Sequence, residues 1–252
     1  MKMDPEKLFY GYADTFDRNN SKIALKILHT MEVAKVSDEL CDMLSLDGHT
    51  KFLAHITAVF HDIGRLPQIT IYDTFNDQIS VDHGALSCQI VTENGMLSKL
   101  PENEQKMVIT AIYNHNKFRI EEGLDDTTLL LCKLIRDADK CDIHRVFATE
   151  DPVDTMGESA EQVSREKISD DVFEQFMARK CIPKSIRKTG LDFWVGFLAF
   201  FYDLYFDESV KIMARNDWCR KMIRRTDFAL EETRQRLDLM FSDLQNYIDT
   251  VI

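Results

Sequence analysis

Along the first 145 residues, apolar residues recur at helical spacing in run after run, and an ionisable side chain interrupts almost every run. In 21–46, Leu25, Val36 and Leu40 share a face that also carries His29, with Leu28, Met31 and Leu44 alongside. A run over 50–62 turns Leu53, Ile56 and Phe60 inward and ends in His61-Asp62. In 82–94, His83 shares a side with Leu86 and Ile90; after Pro101-Glu102, His115 keeps register with Val108 and Ile112. A run over 129–140, with Leu131, Leu134, Ile135 and Ala138 inward, delivers Asp137 and Asp139 at its end. No segment alternates with the period of a strand. Nine Gly and five Pro in 252 residues also suit long helices rather than a turn-rich β fold. The expected fold is all-α, a helical bundle.

Turn chemistry sets the expected boundaries. Asn20 or Ser21 can cap the first helix and Asp47-Gly48 close it. Gly64, two residues past the His-Asp pair, ends the second. Residues 65–80, with Pro67, Asp73, Asn76 and Asp77, show no sustained period and read as a polar connection with room for a short hairpin. A connection this long suits a lid or specificity wall. The acidic stretch 149–161 reads as a loop and precedes expected helices near 162–180, 191–206 and 217–250, the last carrying Trp218, Met222, Leu230, Leu237, Phe241 and Leu244. With no clean linker, the reading is a single domain over 1–252: a core at 20–145 and a helical extension at 160–252 packed on it.

Charge and cysteine usage narrow the function classes. A net charge of −12 disfavours binding to duplex nucleic acid or an anionic membrane, yet leaves room for a small phosphorylated molecule held by a local cation. The apolar stretch 191–206 contains Asp192 and Asp203 and reads as a buried aromatic helix rather than a membrane span. Six isolated Cys with no C-x-x-C pair, and no apolar run after Met1-Lys2-Met3-Asp4-Pro5, fit a reduced, cytoplasmic protein.

Ionisable groups on apolar faces are expensive to bury unless paired or metal-bound. Convergence of His29, His61-Asp62, His83, His115 and Asp139 on one site accounts for all of them together, and helical bundles build metal centres in this way. His49 in a turn, His55 on another face and His144 beyond the last run are not expected among the ligands.

In this order the residues resemble the HD-domain metal-dependent phosphohydrolases, whose pattern is a first His, a His-Asp pair and a distant Asp. His29-Thr30-Met31-Glu32-Val33-Ala34 is similar to the family's first helix motif, and His61-Asp62-Ile63-Gly64-Arg65 to its signature. Ile135-Arg136-Asp137-Ala138-Asp139-Lys140 is similar to the segment bearing the last Asp. The resemblance covers about residues 20–145. It implies that His29, His61, Asp62 and Asp139 ligate a first metal. His83 and His115 resemble the extra ligands of the two-metal branches, in which Asp62 would bridge. The cyclic-dinucleotide branch carries a paired His and a Gly-Tyr-Pro signature. This chain has Asn114-His115-Asn116-Lys117 without it, which argues against that substrate.

Imidazole and carboxylate without thiolate suit one or two divalent ions, Mn, Fe, Ni or Co rather than Mg alone. Two such ions could acidify a bridging water and polarise a phosphoryl oxygen, the hydroxide attacking phosphorus in line. Arg65, just past the pair, could form two parallel hydrogen bonds to a phosphate. Lys140 is a further candidate for the substrate, and Lys184 and Arg187 in the basic run 184–188 are weaker ones. The implied activity is hydrolysis of a phosphate ester or anhydride of a small molecule such as a nucleotide, with Asp62 and Arg65 as the catalytic pair. Two other readings stay open: a di-iron oxygenase of the HD-domain type, and a noncatalytic sensor or interaction module with a structural metal. Substrate identity and oligomeric state are not legible.

Overall fold

The computed structural model describes residues 3–252; Met1 and Lys2 of the opening pentapeptide lie outside them. Every regular element among the described residues is helical. The chain divides into two compact units, Met1–Asp142 and Ile143–Ile252.

In the first unit, α1 (Pro5–Ala13) starts where Asp4 Oδ1 accepts from Lys7 N at 2.9 Å. α2 (Ser21–Met43) is capped by Asn20, as its sequence predicts. Its end differs from expectation. Ser45 at φ 53 turns the chain, and Asp47 instead accepts from His49 N and Thr50 N to open α3 (Gly48–Phe60). Asp is a stronger helix starter than stopper, so the ambiguity resolves toward the N-cap.

The expected connection over 65–80 is also corrected. Arg65–Tyr72 is a helix, α4, and no hairpin forms there. Pro67 is tolerated because it lies in the first turn, where backbone N–H groups have no intrahelical acceptor. The helix is too short to display a period, and it buries Leu66, Gln68 and Ile69. Only residues 73–82 remain irregular. α5 (His83–Glu93) is capped by Asp82, and Gly95 at φ +58 turns the chain after it. α6 (Glu102–Asn114) follows Pro101, and α7 runs from Asp126 to Thr149. α7 therefore continues past the expected end at Lys140, and Asp139 lies within it.

α2 packs on α3, α3 on α6, and α5 on α6. Leu40, Leu53, Ile56, Phe60, Val108 and Ile112 fill the space between them and are fully buried. Gly64 sits at φ −67, so it does not supply the left-handed turn that its position suggests. It supplies closeness: a Cβ there would stand 2.6 Å from His83 O and 2.7 Å from Ser87 N. α5 can reach the His-Asp turn only because that atom is missing.

His55 of α3 ties two neighbours down, with Nδ1 3.1 Å from Asp38 of α2 and Nε2 3.0 Å from Glu6 of α1. Its pKa is raised: the Asp38 hydrogen bond leads, burial opposes it, and Glu6 adds to the rise. A raised imidazole pKa contributes stability that is fully present below the unfolded value of about 6.5 and lost as pH climbs through the folded one. In chelator-treated protein, wild type should lose more stability than His55→Gln between pH 6 and pH 9. Parallel pH curves from denaturant melts would refute the tether.

The second unit holds α8 (Pro152–Met156), α9 (Ala160–Val163), α10 (Asp170–Met177), α11 (Gly190–Leu198), α12 (Asp207–Arg215), α13 (Trp218–Ile223) and α14 (Glu231–Val251). The acidic stretch expected as loop thus contains α8 and part of α9, and the helix expected over 217–250 is two. The 191–206 stretch is α11 followed by a 3-10 turn over Ala199–Asp203. Asp192 within it is fully buried and accepts from Ser169 N, Ser169 Oγ, Lys188 N and Thr189 N. No helix of the described residues is long and apolar enough to cross a membrane. The six cysteines are free thiols.

Candidate metal centre

The polar residues that interrupt the apolar stripes meet in the first unit. His29 projects from the middle of α2. His61 caps the C-terminus of α3, Asp62 follows it, His83 opens α5, and His115 caps the C-terminus of α6. The last turn of a helix leaves its carbonyls without intrahelical partners. Here imidazoles take that role: His61 Nδ1 donates to Ala58 O at 2.7 Å and His115 Nδ1 to Ile112 O at 2.6 Å. The other two rings use carboxylates, His29 Nδ1 with Asp142 Oδ2 and His83 Nδ1 with Asp77 Oδ2, each at 2.6 Å.

With Nδ1 of all four rings engaged by an oxygen acceptor, the proton sits there and each Nε2 keeps a bare lone pair. Those lone pairs converge. His29 Nε2 is 3.1 Å from Asp139 Oδ1 and 3.6 Å from Asp62 Oδ2, and His61 Nε2 is 3.7 Å from Asp62 Oδ2. On the other side, His83 Nε2 and His115 Nε2 lie 3.3 and 3.6 Å from Asp62 Oδ1, and 3.0 Å from each other. The two oxygens of Asp62 thus face different pairs of imidazoles.

All of these residues are buried except Asp139, whose side chain is 17% exposed. His29 Nε2, His61 Nε2 and Asp62 Oδ1 are buried without a hydrogen-bond partner. Buried acceptors that face one another with nothing donated to them call for a cation. Donors sharing a divalent ion at about 2.0–2.2 Å stand roughly 3 Å apart, near the spacing seen here. His29, His61 and Asp139, and likewise His61, Asp62 and His115, form groups that could hold a metal ion. The residues fit one.

Electrostatics point the same way at His61, His83, Asp62 and Asp139. They point the other way at His29, where the surrounding carboxylates favour a proton in place of an ion. Burial pushes the His61 imidazole down to about 4 and, with Arg65 adding to it, His83 to about 3, so both rings are neutral near pH 7. His29 is held above its usual value; burial and Lys26 oppose this, but Asp139 and Asp142 outweigh them. Burial would raise the Asp62 and Asp139 carboxyls. Lys26 and the imidazoles overcome it at Asp62 and His29 does so at Asp139, so both remain ionised.

Two cations flank the carboxylate. Arg65 Nη1 donates to Gln68 Oε1, Phe75 O and Asp77 Oδ1, while its Nε is buried without a partner, 3.6 Å from Asp62 Oδ1. Lys26 Nζ is 2.7 Å from Asp62 Oδ2. Both cations lie over the Phe75 ring, at 5.4 and 5.7 Å. Arg136 supports the site from beneath, donating to Asn114 O and His115 O at the end of α6. Lys140 is buried on α7. Arg187, in the second unit, packs over Phe193 and Phe197 and donates to Ile182 O.

The sequence reading missed Lys26, Asp77 and Asp142. Lys26 stands three residues before His29, and Asp142 three residues after Asp139, both on a shared helix face. The second was hidden by ending α7 too early. Asp77 carries no local signal. The remaining histidines have other partners: His49 pairs with Glu104, His55 with Glu6 and Asp38, and His144 Nε2 donates to Phe197 O. A surface cavity of about 720 Å³, lined by Tyr10, Ile27, Leu28 and Met31 among others, includes none of the centre's residues.

The first unit is thus all-helical and gathers four histidines and a second aspartate, Asp139, round the Asp62 carboxylate. Residues 27–143, a little under half of the chain, match the family model of the HD domain, and the His/Asp groups that could hold a metal ion all lie within that span. No curated protein and no solved structure matches the chain.

Proposed function

We propose that this chain is a metal-dependent phosphohydrolase that cleaves a phosphate ester or anhydride of a small molecule, a nucleotide being the class that fits best. The observation that carries the reading is Asp62, whose two oxygens face separate imidazole pairs while Lys26 and Arg65 stand beside it. His29, His61, Asp62 and Asp139 would hold one ion, and Asp62, His83 and His115 a second. The donor set favours Mn, Fe, Ni or Co over Mg alone. A divalent ion in such a site supplies Lewis acidity, acidifying water and polarising a phosphoryl oxygen.

The chain's own residues contribute charge and orientation. Arg65 spends Nη1 on the wall and keeps Nε for an anion arriving next to Asp62. Lys26 offers a second positive charge on the opposite oxygen. Phe75 braces both cations, so a phosphoryl group would be gripped from two sides by groups with little freedom to lose.

Mn²⁺-loaded protein should hydrolyse at least one member of a panel of nucleotides and generic phosphate esters. Lys26→Met and Arg65→Met should each lower kcat/KM by about 10²-fold, as loss of a charged phosphate contact does. An unchanged kcat/KM in both variants, or no turnover with any of several divalent metals, would overturn the assignment.

A further inference from the structure

The four imidazoles are not oriented alike. His61 and His115 lean on carbonyls of their own helices, and His29 on Asp142, one turn along the helix that carries Asp139. His83 alone among the four takes its orientation from outside any helix, from Asp77 in the irregular segment 73–82. Asp77 divides its oxygens. Oδ2 meets His83 Nδ1 at 2.6 Å, and Oδ1 accepts from Arg65 Nη1 at 3.0 Å and Gln68 Nε2 at 2.9 Å. Gln68 also donates to Ser80 Oγ and Val81 O, and Lys22 Nζ holds Asp73, so the segment is pinned at both ends and at its middle.

We propose that Asp77 is a positioning residue that couples ion binding at the His83–His115 half of the centre to the grip of Arg65 on an anion, while Asp142 orients His29 in the other half. The inference rests on the two-ion hydrolase reading above. His83, were it to ligate an ion, would donate more strongly from Nδ1 to Asp77. Asp77 then holds Arg65, which also donates to Phe75 O, in one arrangement, with Arg65 Nε turned toward Asp62. An anion that needs that arrangement favours the same state. Binding linkage is reciprocal, so the anion must tighten the ion by the factor with which the ion tightens the anion. Asp142 meets His29 from α7, outside the irregular segment that carries Asp77.

The test is equilibrium dialysis of Mn²⁺ against the full chain, with and without inorganic phosphate. Wild type should bind two ions, phosphate tightening one of them by about fivefold or more. Asp77→Asn cannot present acceptors to both His83 and Arg65, since one side of the amide is a donor. It should weaken the phosphate-sensitive ion by about 10–100-fold, abolish its response to phosphate, and leave the other ion within roughly twofold. Asp142→Asn should weaken the other ion and preserve the phosphate response. Should Asp77→Asn fail to fold, Asp77→Glu keeps the charge, displaces it, and should produce the same selective loss.

Equal weakening of both ions, an undiminished phosphate response, or binding of a single ion by wild type would each overturn the coupling. The hydrolase reading fails separately. Two linked ions without turnover of any phosphate ester would keep the coupling and remove that reading. Turnover without selective loss would do the reverse.

Discussion

Asp62→Ala abolishes both ion binding and turnover if the centre works as its geometry indicates. The substitution removes the one side chain that faces all four imidazoles, and it leaves Lys26 without the carboxylate that now sits 2.7 Å away. The expected loss in kcat/KM is at least ~10³-fold, which corresponds to about 4 kcal/mol of transition-state stabilisation. Asp62→Asn sharpens the measurement. An amide keeps the shape and one acceptor oxygen, so it should retain an ion on only one side of the centre. Metal content per chain would show about two ions in wild type, one in Asp62→Asn and none in Asp62→Ala. If the alanine variant retains its full metal complement, Asp62 is not the bridge.

Gly64→Ala should be the most disruptive single methyl group in the first unit. The added carbon meets two backbone atoms, His83 O and Ser87 N, and the hydroxyl of Ser87 at 2.9 Å, which now accepts from Gly64 N. Backbone cannot swing aside as a flexible side chain can. Overpacking of this kind costs about 1–3 kcal/mol, which in a chain of this size lowers Tm by several degrees, roughly 5 °C. The damage should also be directional: α5 moves away from the turn and takes His83 with it. Ion binding on the His83–His115 side should therefore weaken more than on the His29–Asp139 side. Gly11 in α1 supplies the control, because a Cβ there meets nothing within 4 Å. Gly11→Ala should stabilise by up to about 1 kcal/mol through helix propensity. Calorimetry of the two variants, with metal titration of the first, decides the matter. Equal Tm values would remove the packing argument.

The helices and the polar interruptions of their apolar faces were legible because burial of a charged or imidazole side chain leaves a mark in a periodic pattern. His29 among Leu25, Val36 and Leu40 is such a mark, and so is His115 after Val108 and Ile112. Three features stayed hidden for different reasons. α4 spans only the eight residues Arg65–Tyr72, too few for a period to show. Asp142 was missed because α7 was expected to stop at Lys140, although its helical spacing from Asp139 is regular. Asp77 was out of reach altogether. Its importance comes from a tertiary contact across the irregular segment, and nothing in its neighbours encodes that contact. Gly64 was noticed for the wrong property: a glycine can mark either a turn or a close approach, and only the neighbouring backbone distinguishes them.

Helix ends usually owe their finish to residues with no other duty. Here His61 and His115 close off α3 and α6 with one ring nitrogen and face the centre with the other. Replacing either removes a donor to a helix-end carbonyl together with a candidate ligand, so loss of the chemistry is penalised again in folding. A chain that drifted away from metal binding at these two positions would have to find new terminators for both helices.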